Sequence, residues 1–275
     1  MWRLAIVALT GAAGVYAQVM FEGGSWFGEE DLKGRPKMVK IEREKLGETA
    51  VLQPEDEWEY GVDGAQSRHR RFLDGKLVAD EAFEYDAGGH RIVITTRDAA
   101  GKVIREQKFR RLDDGSEEEI DTAGGKQQAR TIRHFDDHGR VIELKSIEAG
   151  NSSTVMQFDY DSRGRPVEAR WSDNSSRKQV MRVQITYPGE DRAIVTVYDR
   201  DSAILLQVEG SEDAVGNGVA RVLFEPDPQN KPATFSRVDR RDAEGNWTLK
   251  TLIERNPRTQ VDEPVARLHR TIVYY

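Results

Sequence analysis

From Lys37 onward the apolar residues recur with a period of two. In "QVMRVQITY", Met181, Val183, Ile185 and Tyr187 share one face, while Arg182, Gln184 and Thr186 share the other. "RPVEARW" sets Val167, Ala169 and Trp171 against Glu168 and Arg170. "VARVLFE" separates Ala220, Val222 and Phe224 from Arg221 and Glu225, and "NWTLKTLIE" aligns Trp247, Leu249, Thr251 and Ile253. A strand sends successive side chains to opposite faces, so each segment has one dry and one wet side. The pattern predicts an all-β chain, a long antiparallel meander with a solvated face. Only "KMVKIEREKL" (Lys37–Leu46) leaves a short helix and a strand in competition.

The strands are punctuated by Asp-x-x-Gly followed by a polar or basic residue. The motif occurs at Asp86–His90, Asp98–Lys102, Asp121–Gly125, Asp136–Arg140, Asp161–Arg165, Asp213–Asn217 and Asp242–Asn246. Shorter or worn forms lie at Asp63-Gly64, Asp74-Gly75, Asp173–Arg177, Asp199 and Asp227–Lys231. Asp at the first position accepts bonds from backbone N–H groups just ahead of it. Gly at the fourth supplies the positive φ that closes a hairpin turn. The structural turn residues expected here are Asp86, Gly89, Asp98, Gly101, Asp136, Gly139, Asp161, Gly164, Asp242 and Gly245. Turn aspartates are separated by about a dozen residues or by double that, the spacing of a strand-and-turn unit. A sheet this long must curl or close to cover its apolar face. A small propeller is the alternative architecture.

"FEYDAGGHRI", "HFDDHGRVIE" and "FDYDSRGRPVE" resemble the YD repeat of the Rhs family, whose unit has the shape Y-x-Y-D-x-x-G-R-[LV]. "DLKGRPKMVK" and "EGNWTLKTLIER…RTIVYY" resemble the ends of short exported bacterial proteins built from such repeats. The resemblance spans most of residues 31–275. It implies a strip of antiparallel hairpins curling on itself and implies no activity. The toxin-enclosing members end their shell with an Asp-Pro-Gly-rich segment that is missing here, so toxin delivery is not expected.

The N-terminus predicts export. Arg3 precedes the apolar run "LAIVALTGAAGV", and Val15 and Ala17 suit a signal-peptidase site, giving a signal peptide over 1–17. The run is shorter than the ~20 residues of a spanning helix. A lead-in segment over 18–60 and a hairpin-repeat domain over 61–275 complete the expected organisation. The absence of Cys excludes thiol chemistry and, with export, fits a bacterial periplasmic, cell-surface or secreted protein. Net charge is -7 with both signs interspersed, which argues against a nucleic-acid partner. The acidic run Asp113–Asp121 reads as a solvated hairpin end.

Candidate chemistry is sparse. His134 and His138 straddle a turn, so helical metal-site geometry does not apply, and neither a metal nor a cofactor is expected. His69 and His269 sit among charges on faces read as wet. No nucleophile elbow, phosphate loop or dinucleotide fingerprint is present. Trp171 and Trp247 fall in phase with aliphatic neighbours and read as core. Trp26, Trp58 and Tyr60 lie in the less regular N-terminal third and are the candidates for contact with sugar or protein. The expected function is a binding or structural protein of the bacterial envelope, contacting polysaccharide or another protein. A carbohydrate hydrolase and an outer-membrane barrel are the rivals. For the barrel, "REQKFRR" and "ARLHRT" offer no continuous apolar side, and a mean hydropathy of -0.68 is poor for a lipid-facing wall.

Overall fold

A computed structural model describes residues 5–9, 16–20, 32–46, 51–149, 153–176, 178–189, 192–212, 218–224, 233–256, 259 and 261–275; side chains are described for these except 5–9, 16–20 and 212–235. Two short strands, β1 (Ala5–Leu9) and β2 (Tyr16–Met20), pair with each other alone. The remaining strands are β3 (Pro36–Lys45), β4 (Leu52–Tyr60), β5 (Gln66–Leu73), β6 (Lys76–Tyr85), β7 (Arg91–Arg97), β8 (Val103–Arg111) and β9 (Glu117–Ala123). Then come β10 (Lys126–Phe135), β11 (Val141–Glu148), β12 (Ser153–Tyr160), β13 (Pro166–Asp173), β14 (Gln179–Thr186) and β15 (Arg192–Asp199). The last five are β16 (Ile204–Glu212), β17 (Gly218–Phe224), β18 (Ala233–Arg241), β19 (Trp247–Arg255) and β20 (Asp262–Tyr274).

From β3 to β20 each strand pairs antiparallel with the next, and β20 pairs back onto β3 from Ala266↔Lys45 to Tyr274↔Pro36. The meander therefore closes into one barrel of β3–β20. A single closed sheet rules out the propeller, whose blades are separate sheets. Val39 and Ile41 lie on strand β3, so the strand wins over the helix in that stretch. Strands β3 and β4, in the stretch read as a lead-in, are staves of the same barrel.

Because directly paired residues point to the same side, the register assigns every described strand a face. One face carries Val39, Ile41, Trp58, Ala169, Trp171, Met181, Val183, Ile185, Val195, Val197, Leu252 and Leu268, all buried. This shielded face is the inside. Met181, Val183 and Ile185 on β14 pack with Ala193, Val195 and Val197 on β15 and with Ala169 and Trp171 on β13. A second cluster joins Val39, Ile41 and Trp58 to Trp247, Leu252, Ala266 and Leu268 across the seam. Each fully buried side chain of this size contributes about 1.5–3 kcal/mol.

The outside is charged on strand after strand. Arg68 grips Asp80 through two bonds of 2.7 and 2.6 Å, and Arg70 reaches Glu57 and Glu59 at 2.5 Å. Arg170 meets Asp159 at 2.9 Å, Arg237 meets Asp239 at 2.7 Å, and His269 meets Glu44 at 2.8 Å. Glu118 lies between Arg110 and Arg130 with its side chain only 1% exposed. The acidic run is thus not a solvated hairpin end. Asp113 and Asp114 occupy the turn, but Glu117–Glu119 belong to β9 and are clamped by arginines on the flanking strands.

The turns at one rim explain the recurring motif. In Asp136–Arg140 the Asp136 carboxylate accepts the N–H groups of His138 and Arg140, and the Gly139 N–H donates to the Asp136 carbonyl. Gly139 has φ 74° and Gly164 has φ 79°. Arg140 turns back to its own aspartate at 2.6 Å and lies over the ring of Tyr160, 4.7 Å from its centroid. Tyr160 donates to the Val141 carbonyl and precedes the next turn aspartate, Asp161. Asp161 holds Arg165, which lies 4.0 Å over the Tyr187 ring. So the aromatic, the aspartate, the glycine and the basic residue form one ribbon linking successive hairpins. The doubled spacing is the distance along the chain back to the same rim. Burial pushes the Tyr187 phenol up to about 12 even with Arg165 against it.

Some expectations shift. Asp98–Lys102 makes the same turn at the opposite rim. Asp121 is not a turn residue: it lies in β9 bonded to Arg105, and Gly124-Gly125 alone make the hairpin. On β19 the buried set is Trp247, Lys250, Thr251 and Leu252 instead of Trp247, Leu249, Thr251 and Ile253. The ring of Trp247 is approached by Arg270 at 4.1 Å and Lys250 at 4.8 Å, so cations share its inner pocket. The turns at Asp213–Asn217 and Asp227–Lys231 lie outside the described residues, and the side chains of "VARVLFE" lie outside the described side chains.

Candidate functional site

The inner wall is apolar over β13–β15 and polar over β4–β10, nearly half a circuit away. Along β4 the inward positions run Tyr60, Trp58, Asp56 from the Asp-x-x-Gly rim toward the middle. On β5 and β6 they include His69 and Arg71, then Tyr85, Phe83 and Glu81. Farther round come Arg105 and Gln107 on β8, Glu117, Glu119 and Asp121 on β9, and Arg133 on β10. The side chains of Arg71 and Arg105 keep about half their surface, 51% and 49%, although they face inward. Water therefore reaches this part of the interior, as expected for a barrel of this many strands.

Several charges on this strip are paired. Arg105 binds Asp121 at 2.8 and 3.0 Å, Gln107 donates to Glu119 at 2.5 Å, and Arg133 bridges Glu117 and Glu119. His69 is the centre of a tighter group. Its Nε2 lies 2.8 Å from Asp56, its Nδ1 lies 3.4 Å from Glu81, and its ring stacks on Trp58 with centroids 4.9 Å apart. Burial pushes the imidazole pKa down, but bonds to Asp56 and Glu81 outweigh it and raise the value overall. Burial likewise pushes Glu81 up, and its bonds to His69 and Arg71 bring it below the usual carboxylate range.

At the rim this strip opens into a cleft of about 580 Å³ lined by Leu32, Gly34–Pro36, Tyr60–Gly64, Gln66, Tyr85 and Arg91. The β4–β5 turn and the start of β3 form its walls. Tyr85 donates to the Gln66 carbonyl at 2.8 Å, and Tyr275 donates to the Tyr60 carbonyl at 2.6 Å, fixing both tyrosines' surroundings. Arg91 lies over the Phe83 ring at 5.1 Å, while Arg35 donates to the Val62 carbonyl. The lining contains one carboxylate, Asp63, which accepts the Ala65 N–H at 3.0 Å.

Of the residues singled out from sequence, Tyr60 lines this cleft. Trp58 is one inward position deeper and 6% exposed, with His69 against its face. Trp26 lies outside the described residues. Trp171 and Trp247 are core, as expected. His69 faces inward instead of sitting on a wet face; it alternates with Arg68 and Arg70, and only the pairing with Trp58 reveals which set is inside. His134 points outward opposite Glu143, and His138 occupies a turn. Among the described residues no group of three or more metal-ligating side chains converges. Tyr85 is marked as the aromatic before a turn aspartate and Arg91 lies in the same repeat, but nothing in the sequence marks either of them, or Gln66, for a cleft.

No family model and no curated protein matches the chain. Among solved structures, a porin-like protein from Bacteroides uniformis is similar over 88% of this chain and 98% of its own, with a TM-score of 0.50 and 10% identity. That likeness is one of fold. The Photorhabdus luminescens Tc holotoxin pore and TcdB2-TccC3 without its hypervariable C-terminal region each match 74% of this chain, at a TM-score of 0.34 and with 11% and 10% identity. The chain spans 13% of the length of each of those toxin chains.

Proposed function

We infer that this is an exported, water-soluble binding protein of the bacterial envelope, and that it holds a polysaccharide segment in the Tyr60–Tyr85 cleft. The cleft carries the reading: two tyrosines, two arginines and a glutamine ring an open hollow that continues into a polar inner strip. Aromatic rings suit a ligand with an apolar face and a polar rim, which describes a sugar. Among the described residues, the connections at this rim carry nine acidic residues against three Lys or Arg, so an uncharged or amino-bearing polymer is favoured over a polyanion. Binding is preferred to hydrolysis because glycoside cleavage uses two facing carboxyl groups. The cleft lining offers Asp63 alone, and Asp56 and Glu81 are committed to His69. Solubility is preferred to membrane insertion because the outer wall is laced with ion pairs where a lipid-facing barrel needs an apolar band.

A glycan array probed with the purified chain tests this. Binding to an uncharged or amino-bearing polysaccharide, lost in Tyr60→Ala and Arg91→Ala proteins with unchanged circular dichroism, is the expected result. A blank array rejects the ligand class, and flotation with lipid vesicles rejects the soluble barrel.

A further inference from the structure

The two rims of the barrel differ in chemistry. Twelve large hydrophobic residues are exposed among the described residues, and eight of them cluster at the rim opposite the cleft: Val51, Leu52, Leu73, Val78, Val103, Ile104, Val180 and Val261. All but Val180 fall on one continuous arc of the ring, from the approach to β20 through β3 and on to β8. Their exposures run from 40% to 66%. Scattered exposed aliphatics are ordinary, but a set gathered on one edge marks a contact surface.

Charge selects the occupant. The connections at the cleft rim are strongly acidic, so two such rims would repel. Among the described residues, the connections at the opposite rim carry three acids and three bases, Asp74, Asp98 and Asp201 against Lys102, Lys178 and Arg200. A balanced edge carries no net charge to repel a second copy, so the aliphatic arc is free to cover itself about a two-fold axis. Half-burying or fully burying eight such side chains removes roughly 400–600 Å² of apolar surface, near the apolar share of the ~800 Å² that each partner in a stable complex contributes.

The geometry points to a self-association surface on this rim, with two copies of the chain stacked edge to edge. The dimer leaves both Tyr60 clefts open at its outer ends, so it would present two binding mouths. The arrangement does not depend on what the clefts hold.

Sedimentation velocity on the full chain, across a concentration series, tests it. The expected result is a monomer–dimer equilibrium in which Leu73→Lys combined with Ile104→Lys raises the dissociation constant by at least tenfold. Both positions are solvent-exposed, so a stable fold is retained and checked by circular dichroism. Ile142→Lys, as exposed as Ile104 but at the cleft rim, should leave the constant unchanged. A chain that stays monomeric at its highest soluble concentration overturns the proposal. So does a dimer that ignores the double variant or responds to Ile142→Lys. Binding of a monomeric chain to phosphatidylcholine vesicles through the same two residues would also overturn it, in favour of a lipid-facing rim.

Discussion

Ser202 offers a direct test of the turn chemistry that builds this barrel. It stands in the Asp199–Ala203 turn at the position held by glycine in Asp136–Arg140 and Asp161–Arg165, and its φ is 65°. The rest of the turn is intact. Asp199 accepts the N–H groups of Asp201 at 2.9 Å and Ala203 at 2.8 Å, and the Ser202 N–H donates to the Asp199 carbonyl at 3.2 Å. A left-handed backbone costs an L-residue about 1–2 kcal/mol. Glycine removes that cost but regains about 0.4–1 kcal/mol of unfolded-chain entropy. Ser202→Gly should therefore stabilise the protein by about 0.5–1 kcal/mol. Gly139→Ala is the reciprocal change: φ is 74° and no atom lies within 4 Å of where its Cβ would stand, so the backbone penalty acts without a clash. It should destabilise by a similar amount. Urea titrations read both, with midpoints displaced in opposite directions at constant slope; thermal midpoints should move by about 1–4 °C. If Ser202→Gly lowers stability, or Gly139→Ala leaves it unchanged, positive φ is not what the fourth turn position selects.

Three further outcomes follow from the packing. The His69 pKa is raised on folding, so its contribution is complete below the unfolded value near 6.5 and is lost as pH rises through the folded one; His69→Gln should flatten stability against pH in that window, and an unchanged slope would break the link. Asp136, held at about 2 chiefly by Arg140 and then by backbone N–H groups, gives stability present above its ordinary value and lost as pH falls through about 2; carboxyl NMR should find that midpoint, and Arg140→Ala should move it upward. Asn246 is buried at the seam, where its side chain accepts the Lys33 N–H and donates to the Lys33 carbonyl and the Tyr274 hydroxyl. Asn246→Ala should cost about 1–3 kcal/mol in urea unfolding by leaving those groups unpaired, whereas a surface-like change below 0.5 kcal/mol would mean the seam is held elsewhere.

Local signals determined the strands and hairpins of this protein. Alternation and Asp-x-x-Gly act within a dozen residues, so "FDYDSRGRPVEARW" specifies strand, turn and returning strand by itself. The sequence also marked Tyr60, although nothing in it placed Tyr85, Gln66 and Arg91 around the same cleft. Tertiary structure decided what depends on distant partners. Closure rests on β20 meeting β3, more than two hundred residues apart along the chain. The inward turn of His69 is settled by Trp58 on the neighbouring strand, and the burial of Glu118 by arginines on β8 and β10. Trp247 shows the limit of alternation: the buried set on β19 includes Lys250 and Leu252, with Arg270 and Lys250 at the indole, instead of Leu249 and Ile253. Period two divides a strand into two faces, and only the closed sheet decides which face is inside.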